Sequence, residues 1–165
     1  MYKLLFDSDS LIKVTKAGFL ENVVNSFKVY ITDDVYNETV EEGIERFYED
    51  ADKIKNLADN KKISIIKRDK YVKITKPKQS FGKGEVSVSQ VHKKDYLTVT
   101  DDLSFVSYLN NISIKNISSA HLITALVKKD KISKQEAYYY LENLKPLIRK
   151  EIYELVKKDI KGEEK

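Results

Sequence analysis

Apolar and polar positions change period several times along the chain, and each change marks an element. Residues 2–6 form a short apolar run that stops at Asp7, as a buried strand does when it carries an acid on its end. Residues 11–27 hold apolar side chains at helical spacing (Leu20, Val23, Val24, Phe27), and Gly18 divides them into two short helices. Residues 28–31 read as a second strand. Thr32 or Asp33 then caps a helix whose stripe is Val35, Val40, Ile44 and Phe47, and another amphipathic stretch runs to Ala58. Residues 63–66 and 71–74 cluster as β residues do. Residues 75–83, with one Pro and Gly82, read as a loop. The spacing then predicts a helix over 84–92, a strand over 96–100, a helix over 103–109 and a last short strand over 112–115. Three helices come after it, at 118–129, 133–144 and 147–160. In the helix over 133–144 the run Tyr138-Tyr139-Tyr140 spans most of the helical circumference, so one or two of the rings face the core and another faces out.

Strand and helix in alternation imply an α/β sandwich with a mainly parallel sheet. A chain of 165 residues fits one domain, expected over residues 1–160 with a frayed tail at 161–165. There is no Cys, which excludes disulfides, thiolate metal sites and cysteine nucleophiles, and two His are too few for a histidine-built metal centre. No apolar run has the length of a signal peptide or of a membrane span, so a soluble, cytoplasmic protein is expected.

The net charge of +4 is small, but its distribution is uneven. Residues 31–60 hold ten acids and three bases, whereas residues 61–95 hold eleven bases and three acids. The basic third, with Lys76, Lys78 and Lys83 just ahead of Glu85, is a candidate track for a phosphate backbone, and Tyr71 and Phe81 are candidates for stacking on unpaired bases. A solvated lysine-rich face accounts for the same pattern.

The acids carry the chemistry. Asp7 follows one apolar strand and Asp101-Asp102 follow another, while Glu38 and Glu85 lie within helices that begin after such points. In parallel α/β sheets, reactive groups gather beyond the C-terminal ends of the strands. Like charges about 4 Å apart repel by about 4 kcal/mol at an effective dielectric near 20. Such a cluster takes up protons or binds a hard cation, and oxygen donors alone favour Mg²⁺ or Mn²⁺. Carboxylates holding such ions suit hydrolysis of a phosphodiester. Each acid also has a simpler reading: Glu38 shares its helix with Glu41, Glu42 and Glu45 as a solvated face would, and one of Asp101 and Asp102 serves equally as a helix cap.

Taken together, the motifs resemble those of PIN-domain nucleases, a family that includes the VapC-type toxins. LLFDSDSLIKV is similar to the family's opening strand and helix, with Asp7 as the first acid and Asp9 where Ser or Asn is commoner. VYITDDVYNETV resembles the second strand and helix and implies Glu38; GKGEVSVSQ implies Glu85; TVTDDLSF, with Thr100, implies Asp101 and Asp102. The C-terminal helices also resemble those of the family and place Asn116 or Ser118 near the site. The resemblance implies a PIN-like α/β/α sandwich with a central sheet of four or five strands and extra C-terminal helices. It further implies an Mg²⁺- or Mn²⁺-dependent endoribonuclease acting on single-stranded or structured RNA, with Asp7, Glu85, Asp101 and Asp102 as metal ligands. Asp9, Thr100, Asn116 and Ser118 would support them. A homodimer, and an antitoxin for members that are toxins, belong to the same implication.

Two other readings compete. Asp7-Ser8-Asp9 is also similar to the first motif of haloacid-dehalogenase-type phosphatases, where Asp7 is the nucleophile and Asp9 the general acid. Ser10 and Leu11 depart from that motif, and it leaves Glu38 and Glu85 without a role. The third reading is a PIN-like module that binds RNA or protein without catalysis.

Overall fold

The computed structural model describes residues 3–72 and 80–162. Five strands, β1 (Lys3–Phe6), β2 (Lys28–Thr32), β3 (Ile63–Ile66), β4 (Tyr96–Val99) and β5 (Asn116–Ile117), form one sheet in the order β3-β2-β1-β4-β5. Every neighbouring pair is parallel. Ten α-helices accompany them among the described residues: α1 (Ser8–Ala17), α2 (Leu20–Ser26), α3 (Asp33–Tyr36), α4 (Glu42–Glu45), α5 (Glu49–Asp59), α6 (Lys83–Val91), α7 (Leu103–Asn111), α8 (His121–Lys128), α9 (Lys134–Leu144) and α10 (Lys150–Lys161). α1 packs on α5 and α9, and α8, α9 and α10 pack on one another, while α3 packs on α6. The result is an α/β/α sandwich. Among the described residues no helix is long and apolar enough to cross a membrane.

The central strand needs its apolar run because a parallel sheet is covered on both faces, and Leu4, Leu5 and Phe6 are all buried. Strand order reverses at β1, so the crevice between β1 and β4 opens at their C-terminal ends. Phe6 lies opposite Val99, and the Asp7 N–H donates to the Val99 carbonyl at 3.2 Å, which brings Asp7 level with Thr100.

Gly18 ends α1 in the left-handed conformation at φ 91°, splitting the long helical stretch where expected. The stripe Val35, Val40, Ile44, Phe47 does not hold throughout. Val35 and Val40 are buried, but Ile44 is 40% exposed and Phe47 93% exposed. Residues Asn37–Glu41 form a π-helical turn between α3 and α4. Its wider turn inserts an extra residue and rotates α4 and the turn after it off the stripe. The expected strand over 112–115 is also displaced: Ser113 turns at φ 58° and pairing with β4 begins only at Asn116. Tyr71 and Val72 lie in no strand, and residues 73 and 74 of that expected strand lie outside the described residues. At the C-terminus α10 reaches Lys161 and Gly162 closes it, while residues 163–165 of the expected tail are outside the described residues. Of the three consecutive tyrosines, Tyr139 is exposed and Tyr140 packs against Phe19 at 5.6 Å.

Candidate active site

Asp7 ends β1 and caps α1, its Oδ1 accepting from the Ser10 N–H at 2.8 Å. It is 2% exposed. Burial pushes its carboxyl up to about 7, against the partial pull of hydrogen bonds from Thr100 and Ser10, and the charge of Asp9 adds to the rise. Thr100, buried at the end of β4, also accepts from the Asp102 N–H at 3.3 Å.

Glu38 sits in the π turn, which swings its carboxylate across to two partners on other elements. The Ser8 hydroxyl donates to Oε2, and the Gly84 N–H, in the first turn of α6, donates to Oε1 at 3.0 Å. Gly84 is required for this approach, since a Cβ there would stand 2.6 Å from Glu38 Oε2 and 2.7 Å from Ser8 Oγ. Glu85 folds back to accept from the Gly82 N–H at 2.9 Å. Partial burial raises its pKa, and the charges of Asp102, Glu38 and Asp9 raise it further. Those couplings gather Asp7, Asp9, Glu38, Glu85 and Asp102 around one end of the sheet.

Asp101 and Asp102 divide their duties. Asp102 caps α7, accepting from the Phe105 N–H at 2.7 Å. Asp101 accepts from the Ser119 N–H at 2.9 Å and the Ser119 hydroxyl at 2.6 Å, just before α8. Lys13 stands between acids, 2.5 Å from Asp9 and 3.7 Å from Asp101. Asn116 donates to Asn110 Oδ1 at 2.8 Å and to the Ile114 carbonyl at 3.2 Å, which ties it to the turn before β5. Ser118 Oγ lies 2.7 Å from His121 Nδ1. Ser8, Lys13 and Ser119 are the residues that sequence reading passes over, whereas Gly84 is read only as the start of the helix that carries Glu85. Only Lys13 had a local signal, lying four residues after Asp9 on one helix face.

The basic third is partly spent inside the molecule. Lys67 pairs with Asp33 at 3.2 Å and Arg68 with Asp34 at 2.7 Å, so part of the acidic third and part of the basic third neutralise each other. Tyr71 packs on the core, its hydroxyl accepting from the Asp34 N–H at 3.3 Å, and the ring of Phe81 packs against Phe105 and Tyr108 at 5.4 and 5.3 Å. Neither ring is an open stacking platform. Lys83 is exposed at the first position of α6; Lys76 and Lys78 lie outside the described residues.

The donor set is all oxygen, which suits a hard divalent cation in kind. As the side chains stand, no three acidic or imidazole groups among the described residues close around a common point, so a cation would have to draw them together. The electrostatics favour that, because a buried carboxyl with a raised pKa beside further acids gains from a positive charge.

A family model described as DUF3368, a PIN domain, matches residues 3–160. A comparison with curated proteins found no match, and neither did one with solved structures.

Proposed function

The chain belongs to the PIN-domain family, whose members are generally nucleases, and from that premise we propose that it is a metal-dependent endoribonuclease acting at the ends of β1 and β4. The observation that supports this most is Asp7, buried beside Thr100 where the strand order reverses, with the charge of Asp9 acting on it and with Glu85 under the charges of Asp102, Glu38 and the same Asp9.

Asp7, Glu85 and the Asp101-Asp102 pair would hold Mg²⁺ or Mn²⁺, with Glu38 completing the ring of negative charge. A divalent cation bound there supplies Lewis-acid chemistry, neutralising charge on the phosphodiester and making water a better nucleophile. The chain's own groups set the geometry. Thr100 and the Ser10 N–H fix the Asp7 carboxyl in one orientation. Ser8 and Gly84 hold both oxygens of Glu38. Lys13 offsets the charge of Asp9 and Asp101, which keeps several acids tolerable in one place. Lys83, exposed at the start of α6, would meet the RNA backbone, and Lys76 and Lys78 join it in this reading by their place in the sequence alone. A homodimer and a toxin role with a neutralising antitoxin enter this reading through the family alone.

The test is cleavage of end-labelled single-stranded RNA by wild type and Asp7→Asn, each with Mn²⁺ and with EDTA. Cleavage confined to wild type with Mn²⁺ is the expected result. Absence of cleavage together with an Asp7-dependent phosphatase activity would overturn it.

A further inference from the structure

Beside the acids lies a second feature, a cavity of about 730 Å³ enclosed by α7, β5, α8, the segment Lys145–Leu147 and α10. That volume falls within the range of about 300–1,000 Å³ usual for small-ligand sites. It is continuous with the acid cluster, because Lys13, Thr100 and Asp101 line its inner end. The walls are apolar, with Val106, Ile117, Ile148 and Ile152 all partly open to solvent, and Leu103 on the rim is 54% exposed. Apolar surface left uncovered next to a polar site is costly in water, which marks the cavity as a place for a flat or apolar group.

The polar groups in the lining are cationic or hydrogen-bonding. Lys128 and Arg149 are both at least partly exposed and make no ion pair among the described residues, unlike Lys67 and Arg68. His121 is fixed through Nδ1 by Ser118, which leaves Nε2 as its other hydrogen-bonding atom. One further carboxylate, Asp159, stands on the α10 wall.

We propose that this cavity seats one nucleotide of the RNA next to the scissile phosphate, its base against the apolar wall and His121, with Lys128 and Arg149 on the flanking phosphates. The inference rests on the ribonuclease reading and adds to it a subsite. Proteins that bind single strands combine surfaces that accept base faces with cations that follow the backbone, and the cavity offers both within reach of Asp101. A protein segment would fill the apolar wall equally well, but it would leave two unpaired cations at the mouth without a reason.

The experiment is fluorescence anisotropy of a labelled hexaribonucleotide in EDTA, where binding is read without cleavage, over a range of salt concentrations. The double variant Lys128→Ala/Arg149→Ala should weaken binding about tenfold and reduce the salt slope by about 1.4, two single-strand phosphates' worth. Ala125→Phe, which fills the cavity from α8, should weaken binding several-fold with the salt slope unchanged. If that variant does not fold, Ile148→Ser tests the same wall from the rim. Wild-type affinity in both the double variant and the cavity variant would overturn the assignment while leaving the ribonuclease reading intact. A weakened double variant with an unaffected cavity variant would overturn the seating of a base. If the wild-type protein does not bind the RNA at all, the assignment falls, while the ribonuclease reading is decided by the Mn²⁺ cleavage assay.

Discussion

β2 runs into Thr32-Asp33-Asp34 and β4 into Thr100-Asp101-Asp102, the same tripeptide at the same end of one sheet. The two copies behave differently because the helices after them start at different places. Thr32 caps α3, accepting from the Val35 N–H at 3.2 Å, so both of its aspartates fall inside the first helical turn. There they meet Lys67 and Arg68 from beyond the end of β3 and become surface ion pairs. After β4 the cap is Asp102, two residues later. The helix therefore starts too late to take in Thr100 and Asp101, and these two side chains turn toward Asp7 and Ser119. A strand-end acid is not a site by virtue of its position. What separates the copies is which residue caps the helix, and whether the acid after it is held in surface ion pairs or by the Ser119 N–H and hydroxyl at the start of α8.

Breaking the β4 arrangement should therefore cost activity, and breaking the β2 arrangement should not. The largest effect is expected for Asp7→Asn, a loss of cleavage on the order of a hundredfold or more in the end-labelled assay. The same change should stabilise the protein. With a carboxyl raised to about 7 from 3.8, the folded state retains a proton that the unfolded chain has released, so stability falls as pH rises between about 4 and 7. Above that window the cost is at most about 4 kcal/mol. Urea unfolding at pH 5 and pH 8 should show Asp7→Asn more stable than wild type at pH 8, with a smaller gap at pH 5. An equal gap at both values would contradict a buried, protonated Asp7.

Next comes Gly84→Ala, which displaces Glu38 without removing any acid. A tenfold to hundredfold fall in cleavage is expected, as for groups that orient ligands. Wild-type rates would show that Glu38 needs no such positioning. Third is the matched pair Asp101→Asn and Asp33→Asn. Loss of the charge-assisted bonds to Ser119 should cost about 1.5–3 kcal/mol and lower activity. Asp33→Asn should change stability by less than about 1 kcal/mol and leave cleavage alone. If the two variants lost activity equally, the contrast between the tripeptides would fail. Asp102→Ala should lower the melting temperature through the lost cap of α7, worth about 1 kcal/mol, and lower cleavage as well, since Asp102 stands among the proposed cation ligands; the smallest effect of the series is that of Asp33→Asn.

Much of this was legible in the order of residues. The alternation of strands and helices, the Gly18 break and the acids at the ends of β1 and β4 all come from local period and punctuation. What local period does not register is a change in the helix itself. The π turn at Asn37–Glu41 looks like ordinary helix in sequence, yet it throws Ile44 and Phe47 out to solvent. The displaced β5 has a similar origin, since a left-handed Ser113 is not marked by Gly or Asn and the apolar pair Ile112 and Ile114 imitates a strand. From its position in the chain, His92 belongs at a helix end, where a positive charge suits the dipole. It does cap α6, but burial lowers its pKa and favours the neutral ring. Ser119, and the contact of Lys13 with Asp101, are invisible for another reason: they exist only once α1 and the start of α8 meet the end of β4.

The central claim is that the acids around Asp7 form a cation site, and the most direct measurement is a titration with Mn²⁺ followed by electron paramagnetic resonance of the free ion. Wild type should remove Mn²⁺ from solution at a site that Asp7→Asn lacks, with retention weakening as the pH is lowered below about 7. Equal binding by the two proteins, or none by wild type, would contradict it.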